Sequence, residues 1–363
     1  MALPATIGMI GIGLLFLRLA LFPLHPQESS EEFVEKGLTA TIFAMGGIPV
    51  EITLFGEEKS TFVEQIQAAT ERIDHLEDLL SSFRPASPVS RLNRMAGEDG
   101  MVMDGEVLDV LSAGFQLHRE TGGAFDMTIG PLVSAWRQAA ALGVLPSDTA
   151  IQTALGLIGS EKIDFDQASG RVKLPMAGMA LDLSGMGKGY IVDRIAELLR
   201  RRGSRRGMVN AGGDLYAFAP AGTVPFKIGI RDPERGPADL LGWFSMREGG
   251  VATSGNYEKF FEIDGRRFGH ILDPRSGRPA EGTLSVTVLA STTMTADGLA
   301  TGLYILGPEA GANLVNSLPG VEAIILYRTP TGLGQWISKG WPRINWFPRE
   351  LPGQGPDAET PGR

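Results

Sequence analysis

Apolar positions along the chain follow two periods. From Leu38 to Phe55 they alternate around Gly46-Gly47, the pattern of two short strands meeting at a turn. Phe62, Ile66, Ile73, Leu76 and Leu80 then fall at helical spacing and mark one face of a long helix, with Thr61 and Glu64 in capping-box register near its start. Val107 to Glu120 and Ser147 to Ile158 predict two more helices, the first closed by Gly122-Gly123. Ile163 to Leu174 reads as a hairpin with Gly170 in its turn, and Ile191 to Arg201 as a helix. Short strands follow around Met208–Asn210, Phe226–Ile230, Leu284–Ala290 and Val321–Tyr327. Strands and helices interleave without a regular βαβ rhythm, so the expectation is one compact α+β domain over residues 38–342.

The two ends differ from this body. Ala5 to Leu24 is apolar except for Arg18 and closes with Pro23 and Pro26, a length near the roughly 20 residues that span a bilayer. A single Arg at mid-membrane costs about 2.5–3.5 kcal/mol, which the surrounding Leu, Ile and Phe offset. No basic flank or small-residue cleavage site is visible, so residues 1–26 are expected to form a hydrophobic helix acting as an uncleaved anchor or an atypical signal segment. That places the remainder on the periplasmic side of the inner membrane. Residues 343–363, rich in Pro, Gly and charge, are expected to be an irregular tail.

Composition narrows the chemistry. The chain has 363 residues, 43% hydrophobic and 21% charged, which describes a globular protein with ample core. A net charge of −9 without a basic run argues against nucleic acid as a partner. There is no cysteine, which removes thiol nucleophiles, zinc–thiolate sites, disulfides and a lipid-modified N-terminal Cys together.

Several clusters punctuate the body. Asp297 and Thr301 lie four residues apart among small and apolar side chains, so on a helix both oxygens share one face. Two readings stand for them: ligands for a hard cation such as Mg²⁺, or helix capping by Thr295 or Asp297 with Thr301 bonding back to its own helix. Leu181-Asp-Leu-Ser-Gly-Met-Gly-Lys-Gly-Tyr190 is a glycine-rich turn before a helix, which offers N–H groups to an anion or simply makes a turn. It matches neither GxxxxGK[ST] nor GxGxxG. Ala124 to Leu132 places Asp126 and Thr128 in an apolar run, and Asn210-Ala-Gly-Gly-Asp214 follows a strand. Ala252-Thr-Ser-Gly-Asn-Tyr257 has hydroxyls but no GxSxG elbow. Of four histidines, only His270 lies in a Gly- and Asp-rich loop, where it acts as acid or base or merely hydrogen-bonds the turn.

In order, Met45-Gly, Leu80-Ser-Ser-Phe-Arg, Ser90-Arg-Leu-Asn93, Gly123-Ala-Phe-Asp-Met-Thr-Ile-Gly-Pro-Leu132, Asp182-Leu-Ser-Gly-Met-Gly-Lys-Gly-Tyr190, Val209-Asn-Ala-Gly-Gly-Asp214, Thr253-Ser-Gly-Asn-Tyr257, His270-Ile-Leu-Asp-Pro-Arg-Ser-Gly277 and Thr295-Ala-Asp-Gly-Leu-Ala-Thr301 resemble the ApbE family, the FAD:protein FMN transferases. The resemblance implies a domain of mixed, mostly antiparallel sheets with flanking helices. It also implies FAD as substrate and Mg²⁺ at its pyrophosphate: a Thr or Ser hydroxyl of an acceptor protein attacks the FMN phosphorus and AMP leaves. Carried over position by position, Gly185 (through its carbonyl), Asp297 and Thr301 match the metal ligands. Met45, Phe83, Ala124, Phe125, Asp126, Asp182, Lys188 and Leu272 match positions lining the FAD site, and His270 and Asp273 stand beside the reacting phosphates. The implied acceptors are flavoprotein subunits of membrane redox complexes, such as the sodium-pumping ones. Two rivals remain: a FAD pyrophosphatase giving FMN and AMP, and a periplasmic flavin-binding carrier.

Overall fold

The computed structural model describes residues 16–17, 37–236, 238–256 and 260–347. A nine-stranded sheet runs through it. Phe16–Leu17 lies at one edge, followed by β1 (Gly37–Ala44), β2 (Ile48–Phe55), β3 (Gly207–Ala211), β4 (Asp214–Phe218), β5 (Gly249–Gly255), β6 (Thr283–Ala290), β7 (Glu322–Thr329) and β8 (Gly332–Ile337). Spatial order equals chain order, and every pairing in the sheet is antiparallel. The α+β architecture expected from the sequence is the one observed.

Apart from Asn345–Trp346, which follows the last strand, the other described elements are inserted between neighbouring strands. Between β2 and β3 come α1 (Lys59–Leu80), α2 (Pro88–Arg94), α3 (Gly105–Glu120), α4 (Gly130–Leu142), α5 (Asp148–Gly156) and α6 (Gly187–Arg201). Between β6 and β7 comes α7 (Thr293–Ser317), interrupted at Gly307, whose φ of 78° precedes Pro308. The expected helix at Ile191 starts earlier, at Gly187, inside the glycine-rich turn. The capping box at Thr61 is not formed: α1 begins upstream, and Phe62 already donates to the Glu58 carbonyl at 2.9 Å.

Both faces of the sheet are covered, which explains its least patterned strand. In β7, Ala323 and Ile325 face a core shared with α1, α3, α6 and α7, while Ile324 and Leu326 face a second core. A strand buried on both sides reads as a continuous apolar run. The second core lies under a small sheet of Phe226–Arg231, Leu240–Met246 and Asn345–Trp346. Its last strand, Asn345–Trp346, falls at the start of the expected tail and is tied to the body: Ile344 packs on the second core and Phe347 donates to the Leu241 carbonyl at 2.8 Å. A third cluster joins α4 and α5 to the Phe260–Ile263/Arg266–Gly269 hairpin, with Trp136 against Phe261 and Phe268.

The predicted N-terminal hydrophobic helix lies outside the described residues, apart from Phe16–Leu17, which form a short strand against β1. Among the described residues no helix is long and apolar enough to cross a membrane.

Candidate active site

One end of the sheet carries the chemistry. The β1–β2 turn, the β3–β4 turn, the end of β5, the start of α6 and the first turns of α7 surround a cleft of about 950 Å³. The β1–β2 turn reaches it through Met45, a non-glycine residue held at a φ of 49°. The Glu77 carboxylate accepts the Met45 N–H and pairs with Arg84 at 2.8 Å, and burial pushes that carboxyl up.

The densest part is the junction of α6 and α7. A Cβ at Gly189 would lie 2.4 Å from the Thr293 carbonyl oxygen, so only glycine lets the two helix starts pack this closely. The contact brings the Gly189 N–H to Asp297 Oδ2 at 3.1 Å. The α6 ladder begins with Tyr190 donating to Met186, which leaves the Gly185 carbonyl outside it. Thr301 lies one turn beyond Asp297, with its Oγ1 3.4 Å from Ser254 Oγ, and a Cβ on Gly185 would stand 3.6 Å from that hydroxyl oxygen. The Lys188 ammonium pairs with buried Asp214 and sits 3.6 Å from Asp297 Oδ1.

The capping alternative for this pair has other occupants. Thr292 caps α7 through the Thr295 N–H, and Asp193 of α6 accepts the Thr293 and Met294 N–H groups at 2.7 and 2.9 Å. Asp297 and Thr301 are therefore free of that task. A carboxylate, a hydroxyl and a carbonyl form a hard-oxygen donor set, which suits Mg²⁺.

Asp126 is organised differently. Its carboxylate accepts the Thr128 N–H and hydroxyl at 2.8 and 2.5 Å and the Ser160 hydroxyl and N–H at 2.8 and 3.0 Å. His118 Nδ1 is 3.1 Å away, and His118 Nε2 lies 3.4 Å from Glu161. Burial opposes the charge on Asp126, but the bonds from His118, Thr128 and Ser160 outweigh it and hold its carboxyl below the usual range. The bond to Asp126 correspondingly raises His118 against the opposing effect of burial.

Of the residues singled out in the sequence, Met45, Ala124, Phe125, Asp126, Asp182, Gly185, Lys188, His270, Leu272, Asp297 and Thr301 all line this cleft. Phe83 and Asp273 do not. Phe83 is exposed, with the Arg137 guanidinium 4.5 Å from its ring centroid. Asp273 serves its own turn: its carboxylate takes Arg275 Nε and Nη2 at 2.8 and 2.9 Å, and its carbonyl takes the Gly277 N–H. That turn is tied to α4 by Trp136 Nε1 donating to the Gly277 carbonyl at 2.9 Å.

Sequence reasoning passed over three contributors. His118 falls at an ordinary position in the last turn of α3, yet the Gly122-Gly123 turn folds Asp126 back onto it. Asn93 clamps Leu181 with both ends of its amide, accepting from the N–H at 2.7 Å and donating to the carbonyl at 2.9 Å, which fixes the segment leading to Asp182 and Gly185. Asp214 was visible only as part of a glycine-rich turn.

A cleft with hard-oxygen donors, a lysine among carboxylates and a loop histidine has the chemistry to hold a phosphate-bearing substrate. Comparison with known proteins gives the family. The ApbE family model matches residues 46–325, and the chain belongs to this family. A FAD:protein FMN transferase of Treponema pallidum is 33% identical over 290 residues, covering 72% of this chain and 78% of that protein. One from Klebsiella pneumoniae is 31% identical over 281 residues, covering 77% and 86%. Among solved structures, the ApbE protein of Thermotoga maritima superimposes with a TM-score of 0.75 at 30% identity, covering 84% of this chain and 97% of that one. The flavin transferase ApbE of Vibrio cholerae gives 0.74 at 27%, covering 84% and 98%.

Proposed function

We propose that this protein is a FAD:protein FMN transferase: it moves FMN from FAD to a threonine or serine hydroxyl of an acceptor protein and releases AMP. The observation that carries the reading is the convergence of Asp297, Thr301 and Gly185 in the same cleft as His270 and Lys188. Relatives of that activity match across most of the chain.

In this reading Asp297, Thr301 and the Gly185 carbonyl hold Mg²⁺, which when bound neutralises pyrophosphate charge and stabilises the leaving AMP. Lys188, steered by Asp214, adds a second positive charge beside the phosphates. The acceptor hydroxyl oxygen forms a bond to the FMN phosphorus, the anhydride bond to AMP breaks, and the hydroxyl proton passes to His270. Asp273 acts only by shaping the His270 turn, and Asp126 by holding the Ala124–Phe125 wall. No cysteine or serine nucleophile is needed, which suits a chain without cysteine.

The acceptor is a flavoprotein subunit of a membrane redox complex, and the apolar run from Ala5 to Leu24 anchors or exports the body to the periplasmic side of the inner membrane. The test is to incubate the protein with FAD, Mg²⁺ and FMN-bearing domains of such complexes, then weigh the products. An acceptor gain equal to FMN with one AMP per transfer is expected. In His270→Ala, FAD binding persists and most transfer is lost. FMN and AMP formed at the same rate without acceptor would replace the reading by a FAD pyrophosphatase.

A further inference from the structure

The cleft has a wall that FAD chemistry does not require. Phe226–Arg231 is the edge strand of the small sheet: Leu240–Met246 pairs with one side of it, and among the described residues no strand pairs with the other. Lys227, Ile228, Gly229 and Arg231 line the same cleft as Asp297 and His270. Phe226, Ile228 and Ile230 point into the second core, so Lys227 and Gly229 present their exposed side to solvent.

The pairing pattern says which backbone groups face the open side. Asp232 donates to the Asp239 carbonyl at 2.9 Å, which makes that position a hydrogen-bonded one. A bulge between Leu240 and Gly242 interrupts the alternation, so the count is taken beyond it: Phe347 holds the Leu241 carbonyl on the far edge, which turns Gly242 and Phe244 towards Ile230 and Ile228. The N–H and C=O groups of Lys227 and Gly229 then point to the open side of the strand, on residues that line the cleft. Pro225 and Pro233 flank the strand and have no N–H, so any added strand has a register limited to about these six positions.

We infer that this edge docks the acceptor polypeptide, which adds an extended segment as a further strand of the small sheet and so delivers its hydroxyl to the cleft. The inference rests on the transferase reading, because only an enzyme with a protein substrate needs to hold a chain segment beside its active site. Backbone pairing holds an extended segment with little demand on its sequence, leaving side-chain pockets to set specificity. Gly229 itself is used by the sheet, since a Cβ there would stand 2.9 Å from the Leu240 side chain, so the open edge offers its backbone groups and not a cleared side-chain position. The competing account is that Lys227 and the flanking prolines merely protect an edge from self-association.

Hydrogen exchange decides between them on the unaltered protein. The probe is an FMN-bearing domain of a sodium-pumping redox complex that the protein flavinylates, with its acceptor threonine replaced by valine so that it binds without turnover. Slowed exchange of the Lys227 and Gly229 amides on adding this domain is expected. Binding without any slowing there overturns the inference. In parallel, Lys227→Pro, which deletes an outward N–H, is expected to lower kcat/KM for the acceptor about tenfold with the KM for FAD unchanged, while Lys227→Ala stays within about twofold. Equal losses in both variants, or none in Lys227→Pro, overturn docking through the backbone. Failure of the unaltered protein to transfer FMN to any acceptor domain overturns the transferase reading and this one with it; transfer without edge protection overturns this one alone.

Discussion

Asp297 and Asp126 are both buried carboxylates in the wall of one cleft, 4% and 6% exposed, yet their surroundings give them opposite capacities. Asp126 is saturated: four bonds from Thr128 and Ser160 and the contact with His118 occupy its lone pairs. Among the described residues Asp297 accepts the Gly189 N–H and otherwise has only the Lys188 ammonium at 3.6 Å, so a carboxylate that lines the cleft retains acceptor capacity. Burial alone does not mark a ligand-binding carboxylate. The number of protein donors already committed to it does, because a charge kept out of water must be satisfied by something.

The sharpest way to break this contrast is to remove each carboxylate in turn. Asp297→Ala is expected to lower FMN transfer by roughly a thousandfold or more, the scale on which losing a main electrostatic stabiliser of the transition state is felt. The fold should persist, and Mg²⁺ should no longer affect FAD binding measured by calorimetry. Full Mg²⁺-dependent activity in that variant would undo the assignment of Asp297 as a ligand.

Asp126→Ala is expected to do the reverse. It strands the Ser160 and Thr128 donors and leaves the half-buried His118 with the exposed Glu161 and the neutral Phe125 carbonyl. Breaking a buried pair of this kind costs about 3–5 kcal/mol. The loss should appear as a lower denaturant midpoint, with the Mg²⁺ affinity of the folded fraction little changed. A variant that kept wild-type stability while losing Mg²⁺ binding would show that the two carboxylates had been assigned the wrong way round.

The same contrast explains what was legible in the chain. Period-two and helical patterns located β1, β2, α1, α3, α5 and β6 to within a few residues, because each buries one clear face. The Leu240–Met246 strand and the 260–269 hairpin went unread. Leu240–Met246 caps the second core and the hairpin a local cluster around Trp136, with apolar residues set by neighbours far away in sequence. Eleven of the thirteen candidate site residues line the cleft, since glycine-rich turns and paired oxygens leave local signatures. Asp273 lies beside His270 in the sequence yet turns into its own loop, and proximity along the chain does not foretell that. His118 carried no signal, and Asn93 stood out only as the end of the Ser90–Asn93 motif and not as a clamp: their partners Asp126 and Leu181 are brought to them by turns and by the docking of α2, which spacing does not encode.

The smallest expected effect tests whether Asp126 is a structural charge at all. Its carboxyl is held below the ordinary 3.8, so its contribution is present above that pH and fades as pH falls through the lowered value. His118 is held above the ordinary 6.5, so its contribution is complete below 6.5 and fades as pH rises through the raised value. The pair therefore stabilises most in the window between, and its alkaline limb belongs to His118 alone. Unfolding midpoints of the wild type and His118→Gln, followed from about pH 5 to about pH 9, should converge as the imidazolium loses its proton. Parallel curves would mean that His118 is neutral throughout and only hydrogen-bonds Asp126, leaving the carboxylate to be held by Thr128 and Ser160 without a counter-charge.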